Sequence, residues 1–231
     1  MIGGRSLLTM RIKEPVEPAE ACVIWMHGLG SEAANMLGLV EQLPLTLPVR
    51  HVCLDAPVRR VTINNGMKMR AWYDIVGMHL TDREDREGIE QSETWIGEVI
   101  HSQLAEGFSA SRLFLAGFSQ GGAMALYAGL RSTHALGGII SLSAYLPLAS
   151  TVRPSLHAHT PIFIGAGLHD PVVLPAWTAE GVEWLRFKGF DRVEAHSYPI
   201  EHTVCFEEIT EIANWLTINS PSTLTDAGDR S

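Results

Sequence analysis

The chain is poor in the features that mark disulfide-stapled, metal-dependent or nucleic-acid-binding proteins. It has three cysteines in 231 residues, Cys22, Cys53 and Cys205. An odd number so far apart in sequence builds neither a disulfide framework nor a zinc site. Cys22 and Cys53 also sit in apolar runs, where a thiol serves as a small buried hydrophobe. Positive charge is scarce. Seventeen Lys and Arg against 26 Asp and Glu leave a net charge of −9, and no basic cluster exceeds pairs such as Arg59-Arg60. No nucleic-acid partner is expected, and nothing draws the chain to an anionic membrane. No run of about 18 uncharged apolar residues is present, so no integral membrane segment is expected. The N-terminal residues lack the apolar core of a signal peptide, and a cytoplasmic protein is the expectation.

What the chain does have is apolar material, 46% of residues, cut into short runs that alternate with amphipathic stretches. Residues 22–26, 51–54, 113–116, 138–142, 161–165 and 192–197 read as strands. Residues 31–43, 82–106, 120–131, 175–188 and 206–217 read as helices; in the second of these Ile89, Trp95, Ile96, Val99, Ile100 and Leu104 fall at helical spacing. Alternation of this kind requires crossover connections. It predicts an α/β fold with a mostly parallel central sheet and helices on both faces. No composition break separates a second domain, so residues 1–218 are expected to form one unit. Residues 219–231 are polar and are expected to be a flexible tail. Residues 58–81 show no clear period, and a stretch of that length is usually functional or has irregular structure of its own.

Gly117-Phe118-Ser119-Gln120-Gly121 matches a nucleophile elbow, G-x-S-x-G. Such a serine projects from a sharp strand-to-helix turn, and side chains two residues away on either side would collide there. An oxyanion formed on attack needs two backbone N–H donors. One is expected from Gln120, at a helix N-terminus. The other is expected from Leu29, in His27-Gly28-Leu29-Gly30 after an earlier strand; His27 itself reads as a structural residue of that loop. In this fold the acid and then the base follow the serine in the chain, and both belong beyond the carboxyl ends of parallel strands. His202 follows the last strand and satisfies both conditions. His196 lies within a strand, His157 and His159 lie at the opposite end of the sheet, and His169 precedes the acid that would have to orient it. Asp170, after the strand at 161–165, is the expected acid. Asp191 sits before a strand, at the wrong end. The reading is a serine hydrolase with Ser119 as nucleophile, His202 as base and Asp170 as orienter.

The chain resembles the small carboxylesterases grouped with acyl-protein thioesterases and lysophospholipases, which have the α/β-hydrolase fold. The likeness is carried by Trp25-Met-His-Gly-Leu-Gly30, Asp55-Ala-Pro57, Val61-Thr-Ile-Asn-Asn-Gly66, Met69-Arg-Ala-Trp-Tyr-Asp-Ile75, Gly117-Phe-Ser-Gln-Gly-Gly122, Leu142-Ser-Ala-Tyr-Leu-Pro147, Gly167-Leu-His-Asp-Pro-Val-Val173 and Tyr198-Pro-Ile-Glu-His202, in the family's order over roughly residues 20–217. The resemblance implies the same triad and the same oxyanion donors. It also implies no large lid domain, no cofactor and no metal. The expected activity is hydrolysis of short- to medium-chain acyl esters, with acyl-protein thioesterase or lysophospholipase as the alternative. The 58–81 segment would form part of an acyl-binding wall, with Trp72, Met78, Leu80, Val172 and Leu29 lining it; Trp72 and Tyr73 are open equally to a core role. The family includes dimers, which leaves a homodimer open. Two positions depart from its pattern: Ile200-Glu201 precede His202 where many relatives have a Gly-containing step, and Ser31 follows Gly30 where Asp is frequent.

Overall fold

A computed structural model of the protein describes residues 8–77, 79–153 and 158–221. Nine strands β1–β9 and five helices α1–α5 are defined among them. Seven strands form one sheet in the order β1-β3-β2-β6-β7-β8-β9. Beside its central strand β6 (Leu113–Phe118) lies β2 (Ala21–Met26), parallel to β6 on one side and to β3 (Val49–Asp55) on the other, so that Ile24 faces Val52 and Leu115. The period-2 rule divides β2 cleanly. Cys22, Ile24 and Met26 enter one core, while Ala21, Val23 and Trp25 enter the other. The first core is closed by α2 (Arg86–Ala105), α3 (Gln120–Arg131) and α4 (Pro175–Phe187); the second is closed by α1 (Ala33–Val40) and α5 (Phe206–Asn219). Strands with both faces covered are apolar throughout, which is why these runs stood out in the sequence.

β7 (Gly138–Leu142), β8 (Ile162–Gly167) and β9 (Val193–Tyr198) extend the parallel ladder. The carboxyl ends of β2, β6, β8 and β9 therefore meet at one edge.

Two parts of the sheet structure were not expected. β1 (Thr9–Lys13) pairs antiparallel with β3 at the border. It is short and has Arg11 and Lys13, charges that suit an edge strand. The 58–81 stretch contains a separate hairpin, β4 (Val58–Val61) with β5 (Met67–Arg70). A five-residue connection reverses it, a 3-10 turn over Thr62–Asn64 followed by Asn65 and Gly66 with φ of 55° and 71°. The predicted tail begins at the last residue of α5, Asn219; residues 222–231 lie outside the described structure.

Candidate active site

β6 passes into α3 through a single residue, Ser119, with φ 55° and ψ −121°. This backbone state costs a non-glycine residue on the order of 1–3 kcal/mol and persists only where its surroundings enforce it. They do so through the two flanking glycines. A Cβ on Gly117 would come within 2.3 Å of the Gly121 carbonyl carbon, and a Cβ on Gly121 within 2.1 Å of Met26 O. The elbow also lies tight against β2 and β7, with Ser119 N–H donating to Leu142 O at 2.8 Å.

Ser119 Oγ is 2.9 Å from His202 Nε2, and His202 Nδ1 is 2.7 Å from Asp170 Oδ2. Asp170 is buried, and its second oxygen accepts the N–H groups of Val172 at 2.8 Å and Val173 at 2.9 Å. Three donors thus compensate a carboxylate removed from water. With Nδ1–H donated to Asp170, Nε2 is the acceptor left for the serine hydroxyl.

The sheet brings these groups together by continuing the β8–β9 pairing past the strand ends. Leu168 N–H donates to Tyr198 O, and His169 N–H to Ile200 O. Gly167 is needed at the crossing, because a Cβ there would meet Glu201 O at 2.4 Å. Phe118 packs on the other side of His202, ring centroids 4.8 Å apart. The unusual Glu201 contributes a backbone carbonyl inward and leaves its side chain exposed.

The first loop is pinned from below. His27 is fully buried; its Nε2 accepts Ala56 N–H at 3.0 Å and its Nδ1 contacts Gly28 O at 2.7 Å. Burial pushes its pKa down, which keeps the ring neutral and fixes it as Nδ1–H donor and Nε2 acceptor. Gly30 N–H is held by Arg70 O, and Ser31 N–H by Gly28 O. Leu29 N–H is outside that set. Gly28 lies against the nucleophile, a Cβ there falling 3.3 Å from Ser119 Cβ. Gln120 opens α3, and its side chain is a buried bridge: Oε1 accepts Trp72 N–H at 2.9 Å and Nε2 donates to Tyr73 O at 2.8 Å.

Among the wall residues, Trp72 takes the core alternative. It has no exposed surface, and its Nε1–H donates to His27 O at 2.9 Å, so it supports the first loop and lines nothing. Val172 is exposed and Leu80 half-buried against the first core. Met78 lies outside the described residues. The sequence reading missed the Gln120 side chain, Phe118 on His202, and the Val172 and Val173 N–H groups. Only the last had a readable signal: an Asp followed by Pro is placed to accept N–H bonds from the next turn.

The family described as Phospholipase/Carboxylesterase matches residues 8–220. Acyl-protein thioesterase 1 of Neurospora crassa is 35% identical over 215 residues, covering 87% of each chain. Acyl-protein thioesterase 1 homolog 1 of Dictyostelium discoideum is 35% identical over 78% of this chain and 82% of its own. The crystal structure of Zea mays acyl-protein thioesterase 2 superposes with a TM-score of 0.83 at 28% identity, covering 92% of this chain and 99% of that one.

Proposed function

The chain belongs to the Phospholipase/Carboxylesterase family of α/β-hydrolases, and from that premise we propose that it is a serine thioesterase that removes acyl groups from protein cysteines. The observation that carries the choice of thioester is that curated relatives at 31–35% identity have the name acyl-protein thioesterase 1. Short- and medium-chain oxygen esters, the first expectation that the family resemblance implied, become a second activity of the same site. Residues 1–218 act in this reading as one catalytic domain.

In the proposed mechanism, Ser119 Oγ attacks the acyl carbonyl while His202 Nε2 takes its proton, and Asp170 stabilises the imidazolium. The N–H groups of Leu29 and Gln120 receive the oxyanion, the latter at the positive end of α3. Collapse expels the cysteine sulfur, and the His202 imidazolium passes its proton to that sulfur and returns to neutral imidazole. Cysteine has a pKa near ~8.5, so this leaving group needs less protonation than an alkoxide. His202 then activates water, and the Ser119 ester is hydrolysed.

A cavity of about 500 Å³ borders His202, between Phe118, Thr203 and Val204 and the α1 residues Asn35 and Leu39. Its polar rim suits a polypeptide leaving group. Leu29, Leu80 and Val172 are assigned to the acyl side.

Matched peptides bearing an octanoyl group on cysteine sulfur or on serine oxygen test the reading, alongside a nitrophenyl ester series from acetate to palmitate. The thioester peptide is expected to show the higher kcat/KM, and Ser119→Ala to lower it by about 10⁴–10⁶-fold. A maximum at short oxygen esters with the thioester spared would return the assignment to carboxylesterase. Inertness toward both would remove the hydrolase reading.

A further inference from the structure

A second constellation lies far from Ser119. His101 is on the exposed face of α2, and His134 follows the C-terminal end of α3 by three residues. Their Nε2 atoms face each other at 3.5 Å, with the rings nearly perpendicular at 82°. They border a cavity of about 480 Å³ that is also lined by Glu93, Glu98, Ile100 and Arg131. We propose that His101 and His134 form a two-histidine site for a divalent d-block cation, zinc in the first instance, that bridges α2 to the segment after α3.

The separation is what a chelated ion requires. Two Zn–N bonds of about 2.1 Å span 3.5 Å when they subtend about 113°, close to the tetrahedral angle. Neutral imidazole nitrogens suit zinc, copper and nickel, whereas magnesium and calcium demand oxygen. The charges nearby are compatible with a cation. Arg131 is committed to Glu93 at 2.8 Å, and Glu98, three residues before His101 on the same helix, lines the same cavity. Among the described residues no three His, Cys, Asp or Glu side chains stand grouped as a metal site. The site is therefore bidentate, and water fills the other positions. Neither histidine touches the triad, and His134 lies at the end of α3 opposite Ser119.

Binding to the folded chain stabilises it by mass action, which gives two independent readouts. Zinc chloride is titrated calorimetrically into the full chain at neutral pH, and thermal unfolding is followed with and without zinc. The comparison variants are His101→Ala, His134→Ala and the double change, each checked for native circular dichroism in zinc-free buffer. The wild type is expected to bind one more zinc ion than the double variant and to gain a Tm increase that the variant lacks. Each single change should weaken that binding at least tenfold, and magnesium should produce neither effect. Equal stoichiometry and equal Tm response in the double variant would overturn the proposal, since zinc would then bind elsewhere. So would an equal response to magnesium, or no zinc binding by the wild type.

Discussion

Asp170 divides its acceptors between two tasks: Oδ1 is fixed by Val172 and Val173 N–H, and Oδ2 faces His202. In Asp170→Asn the amide oxygen would keep the two backbone donors, which turns the NH₂ group toward Nδ1. His202 would then be forced into the tautomer that has Nε2–H, unable to accept the serine proton. We expect kcat to fall by about 10⁴-fold with KM little changed; a loss within tenfold, measured at neutral pH, would contradict the role. Glu208 makes a different point. It is 1% exposed, and neither carboxylate oxygen has a hydrogen-bond partner among the described residues. Cys205 N–H lies near enough to oppose the shift but outside bonding geometry, and Glu211 adds to it, so burial dominates and pushes the carboxyl from 4.5 up to about 8. A carboxyl raised in the folded state binds a proton on folding, so stability is lost as pH rises from about 4.5 to about 8. Glu208→Gln should therefore gain urea midpoint relative to wild type between pH 5 and 8.5. A pH-independent difference would count against the raised pKa. Ser119, Asp170 and His202 were legible because motif, chain order and strand ends constrain them jointly. Glu208 was not, because burial of a charged residue leaves no mark in a sequence.

The elements differ in how plainly they were written. Strands covered on both faces appear as apolar runs, and these, together with the half-exposed edge strand β9, were all read within a few residues. β1 was hidden by its alternating charges. The β4–β5 hairpin was missed even though Asn65-Gly66 is a recognised turn pair, because Arg59, Arg60 and Lys68 interrupt the apolar pattern on either side. Trp72 was placed on the acyl wall as one of two alternatives, and its backbone shows why the core reading holds: the segment after β5 is clamped by the Gln120 side chain. Gln120→Leu would leave Trp72 N–H and Tyr73 C=O buried without partners, at about 1–3 kcal/mol each. A clear drop in the urea midpoint is expected. An unchanged midpoint would mean that the segment is held by other contacts. The backbone N–H assigned to the oxyanion survives the substitution, so any loss of rate should follow from movement of the first loop.

For the whole molecule, the strand order β1-β3-β2-β6-β7-β8-β9 could not be read from the chain, since pairing joins segments such as β2 and β6 that lie some ninety residues apart. The consequence of that order was legible all the same: parallel strands collect their carboxyl ends at one edge, and the loops there hold the candidate site. Among the described residues no helix is long and apolar enough to cross a membrane. The central claim is that Ser119 becomes covalently acylated. The most direct measurement is rapid acid quenching during turnover of a slow acyl substrate, followed by peptide mass mapping. The acyl mass is expected on the peptide containing Ser119 and absent from Ser119→Ala. An adduct on the half-buried Cys205, three residues from His202, or turnover with no adduct in the wild type and undiminished in Ser119→Ala, would contradict the account.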